Sequence, residues 1–475
     1  MQTRRVFLAR FLGAAALTAP ALTACSSGSD SGDSGSGNGH VKSATAITKV
    51  YGEGQKFIAV AIEYDAEIAT AKLSTSSFKA EGRTVTKVYA NTSAATADQG
   101  TDGRYVIVEL SPDDDSALLW GISGPYGNGG GGGQGGASGS AQPQASASQS
   151  TGTPGVVPGP TLGATGGAAN LKKAKGTVTQ TGTVTTTGGT AYPADSAKVT
   201  TTGTVNPIVD DFKQFTFKDP KTGKSLPYNL YVPKNYDKAK SYPLVLFMHD
   251  ASVVSTTPTA TLVQGLGAVC WASPEDQAKR EAFVLAPQYP AVVVSDDYKP
   301  TAYFDATANL VEDLTTRYSI DKDRLYSTGQ SMGAMMTLGL NIKYPDLFAA
   351  SFVVAGQWPD AQAKPLAKKK LWVTVSQGDT KAYPGMNAIT KVIEAAGTKV
   401  SRATWNGRAG ATAFAADVKA MRAKGTTVNY STFLKGTTLT AAQVKQNPNA
   451  LEHNSTWPIA YTIEAIREWI FDQRK

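Results

Sequence analysis

The chain has 475 residues, 41% of them hydrophobic, and a formal net charge of +8. Three of its arginines, Arg4, Arg5 and Arg10, fall in a leader-like N-terminus, so the remainder carries about +5, thinly scattered. That basic character is too weak and dispersed for a nucleic-acid-binding protein. Two cysteines, Cys25 and Cys270, are too few for a disulfide framework.

The N-terminus has the order of an export signal. Arg4-Arg5 precedes Phe7-Leu8 and an apolar run too short for a convincing membrane span. The run ends in Leu22-Thr23-Ala24-Cys25, small residues before a cysteine that would carry lipid. Residues 1–24 are thus expected to be a twin-arginine lipoprotein signal, with Cys25 as the lipidation site. Residues 25–45, rich in Ser, Gly and Asp, are expected to be a flexible tether. The localisation implied is the cell surface, held to the bacterial membrane by the lipid. Cys270, in "GAVCWASP", is then unpaired and reads as a small buried hydrophobe.

Next come short runs with strand alternation, at 56–65, 82–90, 104–111 and 116–121. Further runs follow at 176–187 and 197–205. β-Branched and aromatic residues separated by turn residues predict a β-sandwich over 46–210. Two small β pieces joined by a linker are the alternative. Residues 116–171 hold no charged side chain, and within them a Gly/Ser/Pro-rich insertion, about 124–171, buries too little apolar area to order itself.

From residue 211 onward apolar strands alternate with helical patterns. Strands are expected at 242–250, 282–290, 324–331, 349–358, 370–379 and 426–434. Helices are expected near 304–318, 332–343, 385–396, 411–424 and 459–473. Such alternation predicts an α/β domain with a mostly parallel sheet covered on both faces.

One motif carries chemistry. Gly329-Gln330-Ser331-Met332-Gly333 matches G-x-S-x-G. A Gly-rich chain of this length produces roughly 0.3 such matches by chance, so context must decide. Here a strand precedes and a helix follows, the setting in which the serine is a nucleophile on a sharp elbow. A serine hydroxyl needs a base. Of the three histidines, His40 lies in the expected tether and His249 precedes the serine. His453, in a loop before the last helix, fits the chain order Ser, acid, His. The acid between them is Asp379, just past an apolar strand. Asp346 and Asp360 crowd the elbow strand and its successor, and Asp417 lies within a helix. The backbone N–H of Met332 would serve the oxyanion, with a second donor from Asp250 or Ala251. Asp250 stands where glycine is usual in such loops. His249 reads mainly as a loop anchor. His249, Trp358 and Trp457 are also candidates for a substrate pocket, with ordinary packing as the alternative for both tryptophans.

"YPLVLFMHDAS", "FVLAPQYP", "DKDRLYSTGQSMGAMM", "VSQGDTKAYPGM" and "EHNSTWP" resemble bacterial α/β-hydrolase esterases. These are the group related to polyhydroxybutyrate depolymerase-like and feruloyl-esterase-like enzymes. "ITKVYGEGQKFIAVAIEYD" resembles the N-terminal immunoglobulin-like domain that some of them carry. The resemblance implies an α/β-hydrolase fold over 211–475 behind an immunoglobulin-like sandwich. It also implies a carboxylesterase for short acyl esters with Ser331, Asp379 and His453 as its triad. The implied partner is a small or polymer-linked ester, with no cofactor and no metal. A peptidase on the same triad, and a non-catalytic binding lipoprotein, remain the competing readings.

Overall fold

The computed structural model describes residues 39–123, 168–446 and 452–475. The expected signal, the expected lipidation site Cys25, residues 25–38 of the tether and residues 124–167 of the insertion lie outside them. The described residues fall within one compact unit, 37–475.

The N-terminal part is a sandwich. Its larger sheet has the strand order Gly203–Val205, Val41–Tyr51, Gly54–Ile68, Gly103–Leu110 and Val85–Asn91. Facing it is a three-stranded sheet of Lys198–Thr200, Thr177–Gln180 and Phe78–Ala80. Alternation along 54–68 explains the packing. Val60, Ile62 and Tyr64 enter the core between the sheets. Ala59 and Ala61 enter a second cluster with Ile47, Tyr89 and Ile107 on the opposite face.

Two boundaries differ from expectation. The first strand begins at Val41, inside the expected tether. Residues 168–171, expected to end the insertion, form a strand paired antiparallel with Trp120–Ser123. His40, expected to be unheld, stacks on Tyr192 with ring centroids 3.7 Å apart and sits 3.0 Å from Asp65 Oδ2. The Tyr192 face and the Asp65 carboxylate supply the anchoring that a Ser/Gly-rich neighbourhood does not suggest.

The C-terminal part is built on nine strands: β1 (Phe212–Lys218), β2 (Ser225–Tyr231), β3 (Tyr242–Met248), β4 (Phe283–Pro287), β5 (Ile320–Gln330), β6 (Ala350–Val354), β7 (Leu371–Ser376), β8 (Val400–Trp405) and β9 (Val428–Phe433). Their order is β1-β2-β4-β3-β5-β6-β7-β9-β8. β1 and β2 pair antiparallel and β2 is antiparallel to β4; from β4 onward the sheet is parallel. All seven residues of β3 are buried, as a strand covered on both faces requires. Leu244, Leu246 and Met248 enter the core on one face, and Val245 and Phe247 that on the other. The covering helices used below are α1 (Ala302–Arg317), α2 (Met332–Lys343), α3 (Ala382–Ala395), α4 (Ala411–Arg422), α5 (His453–Ala460) and α6 (Glu464–Phe471).

The expected last helix is therefore two, α5 and α6. Ile463, with ψ at 90°, breaks the helical path between them. His453, expected in a loop, is the first residue of α5.

The sandwich and the α/β part share a core. Val50 and Trp120 belong to the same apolar cluster as Val253, Leu262, Val269 and Ala460. The hairpin turn at Gly52 abuts α5 so closely that a Cβ there would lie 2.7 Å from Pro458 Cβ.

Candidate active site

β5 ends at Gln330 and α2 opens at Met332, so Ser331 alone makes the corner. Its φ is 51° and its ψ −115°, backbone that a residue with a side chain rarely adopts. The neighbours permit no wider turn. A Cβ at Gly333 would lie 1.9 Å from Met248 O, and one at Gly329 would lie 2.4 Å from the Gly333 carbonyl carbon. The glycines let β5, α2 and the end of β3 converge, and the strain lifts the Ser331 side chain off the strand.

Ser331 Oγ lies 2.8 Å from His453 Nε2, and His453 Nδ1 lies 2.5 Å from Asp379 Oδ2. With Nδ1–H donating to the carboxylate, Nε2 is left to accept from the serine hydroxyl. Asp379 is 2% exposed. Its Oδ1 accepts the N–H of Lys381 at 3.0 Å and that of Ala382, the first residue of α3, at 2.8 Å. Burial pushes the Asp379 carboxyl up, but the His453 charge, its hydrogen bond and the two N–H groups outweigh it. The carboxyl is held below the usual range. Burial pushes the His453 imidazole down, and the Asp379 charge and hydrogen bond outweigh that, with Asp250 adding to them. The imidazole is held above its ordinary 6.5.

The turn after β3 shows why Asp250 is tolerated. Its φ is −77°, so no left-handed residue is required there. Its carboxylate caps a short 3₁₀ turn, Ala251–Val253, accepting from Ser252 N at 2.9 Å and from Ser252 Oγ. The second oxygen accepts from Gln330 Nε2 at 2.9 Å, and Gln330 also donates to Gln264 Oε1 at 3.0 Å. The Asp250 carboxylate is thus engaged by the residue before Ser331. Within the turn, Ser252 N–H is taken by Asp250 Oδ1 and Val253 N–H by Asp250 O. Met332 N–H opens α2 ahead of the first bond to its cap, Met335 N to Ser331 O.

His249 is fully buried and both ring nitrogens are used. Nδ1–H donates to Asp250 O at 2.8 Å, and Nε2 accepts from Tyr289 N at 2.9 Å. Burial pushes its pKa down to about 4. It anchors the turn; the pocket role considered for it is corrected, because no ring nitrogen is left for a substrate. Trp358 is also in the core, packed on Tyr298 and Phe304 with Nε1 donating to Gln362 Oε1 at 3.0 Å. Trp457 is half-buried and sets its ring edge-on to His453, centroids 5.3 Å apart. Of the three pocket candidates, Trp457 is the one in contact with the His453 ring. Cys270 is buried and unpaired, with its thiol pushed up to about 12 by burial, the state of a small hydrophobe.

Sequence reasoning passed over Glu452. It is 3% exposed, although it is an acid directly before His453. Its carboxyl accepts from Ser376 Oγ, from Thr438 Oγ1 at 2.9 Å and from Gly436 N at 2.5 Å. The signal in the sequence is only its adjacency, Glu452-His453.

Comparison with known proteins agrees with this architecture. The model of the "Esterase Ig-like N-terminal domain" matches residues 43–193, and that of the "Putative esterase" family matches residues 220–409. Acetylxylan esterase A of Emericella nidulans is 32% identical over 97 residues, 17% of this chain and 32% of the relative. Acetylxylan esterase A of Aspergillus oryzae is 30% identical over 97 residues, again 17% of this chain and 32% of the relative. The chain thus spans about a third of the length of these curated relatives. A crystal structure of a thermostable esterase superposes with a TM-score of 0.71 at 26% identity, covering 92% of this chain and all of that one. With the two models matched in order and one solved esterase superposing along both parts, the chain is similar to esterases that carry an immunoglobulin-like N-terminal domain.

Proposed function

We propose that the protein is an exported, lipid-anchored serine carboxylesterase that cleaves short acyl esters through an acyl-enzyme on Ser331. The observation that supports this most is the hydrogen-bonded line Asp379–His453–Ser331 ending on a strained serine. In the first step Ser331 Oγ bonds to the ester carbonyl carbon as its proton passes to His453 Nε2. The electron pair of the carbonyl moves onto oxygen. Met332 N–H and an N–H of the Asp250–Ala251 turn receive that oxyanion. The C–O bond to the alcohol then breaks, and His453 returns the proton to the leaving alkoxide. Water, deprotonated by His453, attacks the acyl-enzyme, releasing the acid and restoring Ser331. Asp379 fixes the His453 tautomer and stabilises the imidazolium without taking the proton.

The substrate reading is acetyl and other short acyl groups, on sugars or aryl alcohols, following the names of the acetylxylan esterases similar to this chain. Trp457, edge-on to His453, would form part of the wall for that group. Cys25 would hold the enzyme at the membrane surface. Hydrolysis of p-nitrophenyl acetate and butyrate by wild type and Ser331→Ala tests the proposal. Wild type should turn over both esters and the variant neither; equal rates would overturn it.

A further inference from the structure

Ser376 and Glu452 form one joint under the two residues that orient each other, Asp379 and His453. Ser376 is the last residue of β7, and its carbonyl accepts the N–H of Asp379 at 3.0 Å. Its Oγ accepts the N–H of Gly378 at 3.2 Å while donating to Glu452. Glu452 is the residue that caps α5, and its carbonyl accepts from Thr456 Oγ1 at 2.8 Å. Its carboxyl also takes Thr438 Oγ1 and Gly436 N, on the segment after β9. One buried carboxyl therefore ties the turn carrying the acid to the helix whose first residue is the base. The turn has been fitted to it, since a Cβ on Gly378 would lie 2.4 Å from Glu452 Cδ.

We propose that Glu452 is a positioning residue that sets the Asp379–His453 hydrogen bond. It touches neither the substrate nor the reacting atoms. It rests on the triad reading above and extends it by one residue. Without the carboxyl, Ser376 Oγ and Gly436 N lose a buried partner, and α5 can shift against the acid turn. A longer Asp379–His453 contact weakens the interaction that holds the imidazole above 6.5. Misplacement of a catalytic group by an ångström costs about a hundredfold in rate.

The test compares Glu452→Ala, Glu452→Gln and wild type with p-nitrophenyl acetate across pH, alongside Ser331→Ala and thermal unfolding. In Glu452→Ala, kcat should fall about tenfold to a hundredfold with KM little changed. The acid limb of kcat/KM should move down toward 6.5, the ordinary value. Glu452→Gln should recover most of the rate, because its carbonyl oxygen can still accept from Gly436 N while the hydroxyls of Ser376 and Thr438 turn to accept from the amide. A folded Glu452→Ala with wild-type kcat and an unmoved acid limb would overturn the proposal. If Glu452→Ala does not fold, Ser376→Ala carries the same expectation and the same overturning result. Activity surviving in Ser331→Ala would instead sink the triad reading, whatever Glu452 does.

Discussion

Ser331 occupies backbone that its side chain disfavours, and its Oγ is met there by His453 Nε2 at 2.8 Å. The pH dependence follows from the groups around that base. In the proposed mechanism hydrolysis needs neutral His453, and its pKa is raised, so activity should fall as pH drops through a midpoint above 6.5. Asp379→Asn removes the charge that raises it and leaves the burial that lowers it. The acid limb should then move downward while kcat drops about four orders of magnitude, read from pH–rate profiles of both proteins. His249, with its pKa pushed down to about 4, should contribute no step to those profiles between pH 5 and 9. The convergence of Ser331, Asp379 and His453 was legible in the sequence because histidine is scarce and the chain order Ser, acid, His leaves few alternatives. Glu452 was not, because its partners Ser376, Gly436 and Thr438 come from two other segments that only the fold brings together.

Among the elements, the strand–turn–helix of β5, Ser331 and α2 depends on close approach more than on composition. Gly333→Ala would drive a methyl group into Met248 O, so it should lower the unfolding midpoint and abolish esterase activity together. His249→Phe keeps the ring's bulk but strands Tyr289 N, which costs about 1–3 kcal/mol when buried without a partner, and leaves Asp250 O with only the N–H of Val253. Denaturant unfolding should show that loss. The buried parallel strands were readable from their continuous apolar runs, and α2 from its place behind a strand and a tight turn. β1, β2 and β8 were missed for two reasons. β1 and β8 are edge strands, with alternating lysine in "FKQFTFK" and arginine in "VSRATW", and β2 is interrupted by Pro227. The single helix expected at the C-terminus breaks at Ile463, where the β-branched pair Thr462-Ile463 lowers helix propensity only modestly and is easily passed over.

In the whole molecule the sandwich and the α/β part are joined by apolar packing. Trp120 and Val50 share a core with Ala460 and Val253, and the Gly52 turn presses on Pro458 in the helix that begins with His453. Trp120→Ala should therefore cost about 3–5 kcal/mol and lower a single unfolding transition spanning both parts. Two separate transitions, only one of them shifted, would contradict this. The sequence composition marked where the β-rich part stops, but long-range packing of this kind leaves no local pattern. The central claim, an activated Ser331 in the folded protein, is tested most directly by a fluorophosphonate probe with the adduct mapped by peptide mass spectrometry. The account predicts one stoichiometric adduct, on Ser331, lost in His453→Ala and accompanied by loss of ester hydrolysis. An unlabelled but folded and esterolytic protein, or an adduct on another serine, would contradict it.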